Sequence, residues 1–196
     1  IIKYLFLLTG GSFILASCND FLDREPLDSV TPDNFFFTEN DLAAYAVKHY
    51  NFTTHEGFNA GIWRNDNATD NQAATDYDKK WIPGQWKVPE AYDNPASNDP
   101  WYFSTIREAN YFLETVVPRF EKGEIEGSET NIKHYIGEMY FLRAKNYLSK
   151  LETFGDFPII KNTLPDENEP LTQASKREPR HKVARFILED LDQTIG

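Results

Sequence analysis

Between Ser128 and Thr153 the chain carries Ile132, Tyr135, Ile136, Met139, Tyr140, Phe141, Leu142, Ala144, Tyr147, Leu148 and Leu151. Spacings of three and four predict one long helix. Its apolar residues take up more than half of its circumference. A helix that is apolar on so many sides must be covered by neighbours on several of them. Gly155 follows as a terminating glycine. Whatever else the chain does, it must supply helices to bury this one.

Three other segments have helical spacing. Thr38 can cap a first helix, with Asp41 completing a capping box. Leu42, Tyr45, Ala46, His49 and Tyr50 then share a face, on which His49 reads as a core or edge histidine rather than a ligand. Asp99 as cap and Pro100 at the first position predict a second helix. Tyr102, Ile106, Ala109, Leu113 and Val116 mark its stripe, and Pro118 is expected to stop it. A last helix is expected from Pro179 to the end, with Val183, Phe186, Ile187, Leu191 and Ile195 on one side and Leu188 alongside. Phe157–Ile160 reads as extended. Residues 161–178, with Pro165 and Pro170, read as loop. No alternation is long enough for a sheet, so the expected fold is all-α, in antiparallel pairs. No strict repeat is present. Stacked tetratricopeptide-like pairs are compatible, with Ala109, Gly137, Ala144 and Tyr147 small or flat enough for the seams. Arg143 and Glu138 are expected to bridge and fix helix packing, and Asp156 to cap a turn.

Residues 53–99 interrupt this plan with a long run rich in Asn, Asp, Gly and Pro. Insertions of that length in compact domains usually carry function. Three of the 4 tryptophans, Trp63, Trp81 and Trp86, lie in it.

The formal charge of -11 disfavours nucleic acid, and no Lys/Arg run offers a local basic patch. A single cysteine excludes an internal disulfide, and a Cys/His zinc site lacks its ligands. His49, His55, His134 and His181 are scattered, and no H-E-x-x-H, G-x-S-x-G or phosphate-cradling glycine loop occurs. Asp66, Asp70, Asp76 and Asp78 do not follow calcium-loop spacing and read as solvated acids. The chain is expected to hold no catalytic residues, metal or cofactor.

The first residues form a signal pattern. Lys3 precedes a short apolar core, and Leu15-Ala16-Ser17-Cys18 has the form of a lipobox. Residues 1–17 are then a lipoprotein signal and Cys18 the lipidated residue. Residues 18–37 are an extended lead, and 38–196 a helical domain. The chain opens on Ile rather than Met and its last helix has nothing after it to pack on, so both ends are expected to be clipped.

Several segments in order resemble the SusD/RagB family. After the lipobox come Asn19-Asp20-Phe21-Leu22-Asp23-Arg24-Glu25-Pro26, the polar stretch Asp66–Asn71 and Ile106-Arg107-Glu108-Ala109-Asn110-Tyr111-Phe112-Leu113-Glu114. The most specific piece is Gly137-Glu138-Met139-Tyr140-Phe141-Leu142-Arg143-Ala144, continuing to Phe154-Gly155-Asp156-Phe157-Pro158-Ile159-Ile160. Arg177–Arg180 and the run Val183 to Asp192 close the series. The resemblance implies helical pairs of the tetratricopeptide type with ligand surface on inserted loops. It implies a lipid-anchored, non-catalytic protein facing the cell exterior on the outer membrane, which delivers oligosaccharide to a SusC-like TonB-dependent transporter. Family chains are far longer, so the C-terminal half is expected to be missing. Sugars offer apolar C–H faces ringed by hydroxyls, which aromatic rings and Asn, Asp or Arg side chains can meet. The candidate ligand residues are Trp63, Arg64, Asp66, Trp81 and Trp86, against the bland reading in which the tryptophans only anchor the loop. In the alternative function, the helices are a scaffold docking the transporter, and the glycan or peptide site lies in the missing half.

Overall fold

The computed structural model describes residues 35–50, 82–85, 87–89 and 99–194. Contacts divide the chain into Ile1–Phe35 and Phe36–Gly196, and the described helices all belong to the second unit. Among the described residues the regular structure is helical: α1 Glu39–Val47, α2 Ser104–Glu121, α3 Glu129–Phe154, α4 Asn168–Ala174 and α5 Arg180–Gln193. Two isolated bridges are the β-like pairings between described residues.

The long helix is the hub. α3 packs on α1, α2 and α5, as its broad apolar circumference requires. Gly155 ends it at φ 72, its N–H reaching Leu151 O at 2.9 Å. The expected seam residues Ala109, Gly137, Ala144 and Tyr147 are all buried. Gly137 lets the helices come close, since a Cβ there would sit a tight 3.3 Å from the Thr194 carbonyl oxygen of the α5 end. Tyr147 meets Phe186 of α5 edge-on at 4.9 Å. Around them Ile106, Phe154, Phe157, Val183 and Ile187 complete a core cluster.

α1 begins as its sequence predicts. Thr38 accepts from Asp41 N at 3.2 Å, and Asp41 Oδ2 accepts from Thr38 N at 2.9 Å. Its start is also tied to the α2–α3 turn, with Glu39 N donating to Glu126 O and Glu126 N to Phe37 O, each at 2.8 Å. Glu39 then does for α3 what Ser128 does not. Its carboxylate accepts from Ser128 N at 2.6 Å and from Asn131 Nδ2 at 3.1 Å, which holds the carboxyl below its usual range. Gly127 beneath it, at φ 141, leaves no room for a side chain. Preceding α1, Phe36 is fully buried among Tyr45, Tyr111 and Phe112.

Three boundaries and one loop differ from expectation. α1 stops at Val47, and His49 and Tyr50 continue as hydrogen-bonded turns. α2 starts at Ser104, because the Asp99 side chain accepts from Trp101 N at 2.7 Å and closes a tight turn instead of opening a helix. Pro118 does not stop α2; it lies inside, and the helix runs on to Glu121. A proline removes only its own donor, and Lys122 N still reaches Pro118 O at 3.3 Å. Within the expected loop 161–178 lies α4, a surface helix that buries no residue. α5 follows its predicted course from Pro179.

Candidate functional site

Cys18, Trp63, Arg64, Asp66, Trp81 and Trp86 lie outside the described residues, as do Asp70, Asp76 and Asp78. The structure does describe the residues that flank the inserted run.

It leaves from the end of α1. Tyr50 Oη donates to Glu138 Oε2 on α3 at 2.5 Å, and burial together with that carboxylate pushes the phenol up to about 12. Glu138 Oε1 faces His134 Nε2 at 3.0 Å. Arg143 does not pair with Glu138, contrary to expectation. Five positions apart on a helix, the two side chains point about 140° away from each other. Glu108 on α2 collects the remaining groups of this end: Lys48 Nζ at 3.2 Å and His49 Nδ1 at 3.5 Å, while Tyr45 Oη donates to its backbone carbonyl at 3.1 Å. His49 is a core histidine as expected, but its buried Nε2 has no hydrogen-bond partner among the described residues, and burial lowers its basicity.

The run returns at the other end of α3. Trp101 Nε1 donates to Pro89 O at 2.9 Å, fixing a described piece of the insertion. The indole lies against Phe154 at 4.2 Å and Phe157 at 5.9 Å, and Phe103 stacks on Phe157 at 5.2 Å. Lys150 is buried and donates to the Pro100 carbonyl; burial pushes its amine down. Arg177 lies over the indole at 5.0 Å. Glu138 and Phe154 are sixteen residues apart along one helix, so the two anchor points stand about 24 Å apart. No motif in the sequence marks Lys150 or Arg177 for this role. Trp101 had a signal, as the tryptophan adjoining the Asp99-Pro100 turn.

Behind these anchors lies a buried polar knot. Arg143 of α3 binds Asp190 of α5 with both prongs, Nε to Oδ2 at 2.8 Å and Nη2 to Oδ1 at 2.7 Å. Its Nη1 reaches Asn110 Oδ1 of α2 at 2.8 Å, and Asn110 Nδ2 donates to Ile160 O at 2.9 Å. Tyr147 Oη both accepts from Ile160 N and donates to Ile160 O. Three helices and the 160–163 segment are thereby fixed together. Each polar group in the knot is matched, so it serves as frame rather than ligand site. Asp156 caps, as expected, but it caps α5: its Oδ1 accepts from Arg180 N at 2.8 Å. Among the described residues no cluster of His, Cys, Asp and Glu suits a metal ion, and no helix is long and apolar enough to cross a membrane.

Comparison with known proteins agrees with this frame. SusD-like protein P2 of Formosa agariphila is 25% identical over 90% of this chain and 34% of its own length. SusD-like protein P38 of the same organism is 27% identical over 98% of this chain and 36% of its own length. The chain thus spans about a third of these curated relatives. The crystal structure of a SusD-like protein from Bacteroides fragilis superposes with a TM-score of 0.54 at 23% identity, covering 87% of this chain and 32% of that one, a likeness of fold. The family model described as SusD-like, starch-binding associating with outer membrane, matches residues 20–195. A match over that span, on a helical frame with these seams and caps, places the chain in the SusD-like family.

Proposed function

We propose that the protein is a non-catalytic glycan-binding lipoprotein of the outer membrane. It takes oligosaccharide at the cell surface and passes it to a SusC-like TonB-dependent transporter. The observation that carries the reading, beside family membership, is the mounting of the residues that flank the inserted run: Tyr50 after α1 and Trp101 before α2 are both held against α3, on Glu138 and Phe154. Function-bearing loops are commonly held in this way on a fixed scaffold. Trp63, Trp81 and Trp86 supply ring faces for sugar C–H surfaces, and Arg64 and Asp66 supply partners for hydroxyls. Cys18 carries the lipid.

The test is affinity electrophoresis of the full-length protein against a polysaccharide panel, with Trp63, Trp81 and Trp86 changed to Ala one at a time. Reduced retardation in at least one variant is expected. Undiminished retardation in all three removes the site from this run. For the anchor, Cys18→Ala should abolish palmitate labelling and release the protein from the membrane fraction. Continued labelling would contradict the assignment.

A further inference from the structure

The sequence has no contiguous run of cations, but it crowds six basic residues into one short stretch at the start of α5. Lys176, Arg177, Arg180, Lys182 and Arg185, with His181, fall within ten residues at the start of α5, and all are exposed. Three carboxylates stand nearby, among them Glu189, one turn on from Arg185 and 3.5 Å from Lys161. Glu178 pairs with Lys182 at 2.8 Å, and Asp156 is engaged at the Arg180 amide. Lys176, Arg180 and Arg185 form no ion pair among the described residues. In a chain of net charge -11 this is a local reversal of sign.

The reversal opposes helix stability. The first turn of α5 holds Arg180, His181 and Lys182 and no acid, at the end where the peptide dipoles already place positive charge. The far end holds Glu189, Asp190 and Asp192 and no base, again the unfavourable order. Asp190 is accounted for by Arg143 and Lys182 by Glu178, whereas Arg180 forms no ion pair among the described residues. His181 and Arg185, one turn apart, share a face at roughly 5–6 Å spacing. Arg177 joins the patch to the insertion anchor by lying over Trp101.

We infer that this patch binds acidic polysaccharide, with carboxylate or sulfate groups on the sugar chain as its ligands. The inference rests on the glycan-binding reading and narrows its substrate class. Continuity with the Trp101 anchor favours a glycan over a lipid surface.

The test uses full-length protein in affinity electrophoresis against alginate, a linear polyuronate, and against a panel of neutral polysaccharides. The variants are wild type, Arg180→Ser/Arg185→Ser, and Lys122→Ser as a distant cation control. Alginate should retard wild type and the control, with retardation falling as salt rises. The double variant should lose that retardation, and its salt dependence should be shallower by roughly one to two in log–log slope. Its retardation by any neutral member should be unchanged. Its thermal midpoint should hold or rise, because cations leave the positive end of a helix. Equal alginate retardation of wild type and double variant overturns the inference, as does retardation of wild type by neutral members alone; either result leaves glycan binding standing. No retardation by any polysaccharide sinks both. Wild type pelleting with vesicles of equal parts phosphatidylglycerol and phosphatidylcholine, lost in the double variant without any alginate effect, assigns the patch to membrane and overturns it too.

Discussion

Two carboxylate–cation contacts, one between α3 and α5 and the other between the end of α1 and α2, show how differently one chemistry can act. On the α5 side, Arg143 and Asp190 are 7% and 4% exposed, bound by two hydrogen bonds and backed by Asn110. On the α1 side, Lys48 and Glu108 are 61% and 30% exposed and touch at one point. The buried pair cannot exchange its partner for water, so it dictates where three helices meet. The exposed pair can, and it is screened by salt. The frame is therefore rigid where the polar knot sits and yields most readily at the short helix from which the inserted run departs.

The largest effect should follow Asp190→Ala, which strands the Arg143 guanidinium in the interior. A loss of about 3–5 kcal/mol is expected in urea unfolding. Lys48→Ala should cost under about 1 kcal/mol. Comparable costs for the two would break the comparison. Next, Tyr147→Phe removes the hydroxyl that both accepts from and donates to Ile160, and should cost about 1–3 kcal/mol. Hydrogen exchange should show faster opening at 160–163 with α1 unaffected. Thr38→Ala removes the α1 cap, and about 1 kcal/mol of destabilisation is expected. Here exchange should quicken in Glu39–Val47 and leave α5 unchanged, sharpening the contrast from the other side.

The smallest effect is pH dependence at His49. Burial lowers its folded pKa below the reference 6.5, and the nearby Glu108 only partly opposes this. The unfolded chain therefore takes up the proton first. Stability from this group is complete above 6.5 and is lost as pH falls through the lower folded value. Unfolding midpoints compared on either side of that window, for wild type and His49→Gln, should show a slope in the former that the latter lacks.

The parts legible from sequence are those specified within a turn or two. Thr38 and Asp41 are three apart, and the α3 stripe and its Gly155 stop are continuous in the chain. Asp99-Pro100 misled because the aspartate side chain closed a turn onto Trp101 in place of a helix start. α4 gave no signal because seven residues without a buried side chain have no apolar period, and Pro170 sits in its first turn, where proline is tolerated. The partner of Arg143 was hidden by distance: Asp190 is 47 positions away, so the nearer Glu138 drew attention. Among site residues, Trp101 and Arg177 gain meaning only because Phe154, Phe157 and α5 converge on them. The five cations of 176–185 are interrupted in sequence by Glu178-Pro179 and Val183-Ala184, with two of them before α5 and three within it, so no run of basic residues marks them.

The antiparallel bridge between Phe157 and Glu178, sealed by two hydrogen bonds of 3.1 Å, has a practical corollary. It pinches shut the excursion that carries α4, whose own side chains are all left outside the core. That short tongue is a natural graft point: a fluorescent reporter or epitope spliced in place of Asn168–Ala174 should ride on the molecule like a flag on a mast, leaving the timbers below undisturbed.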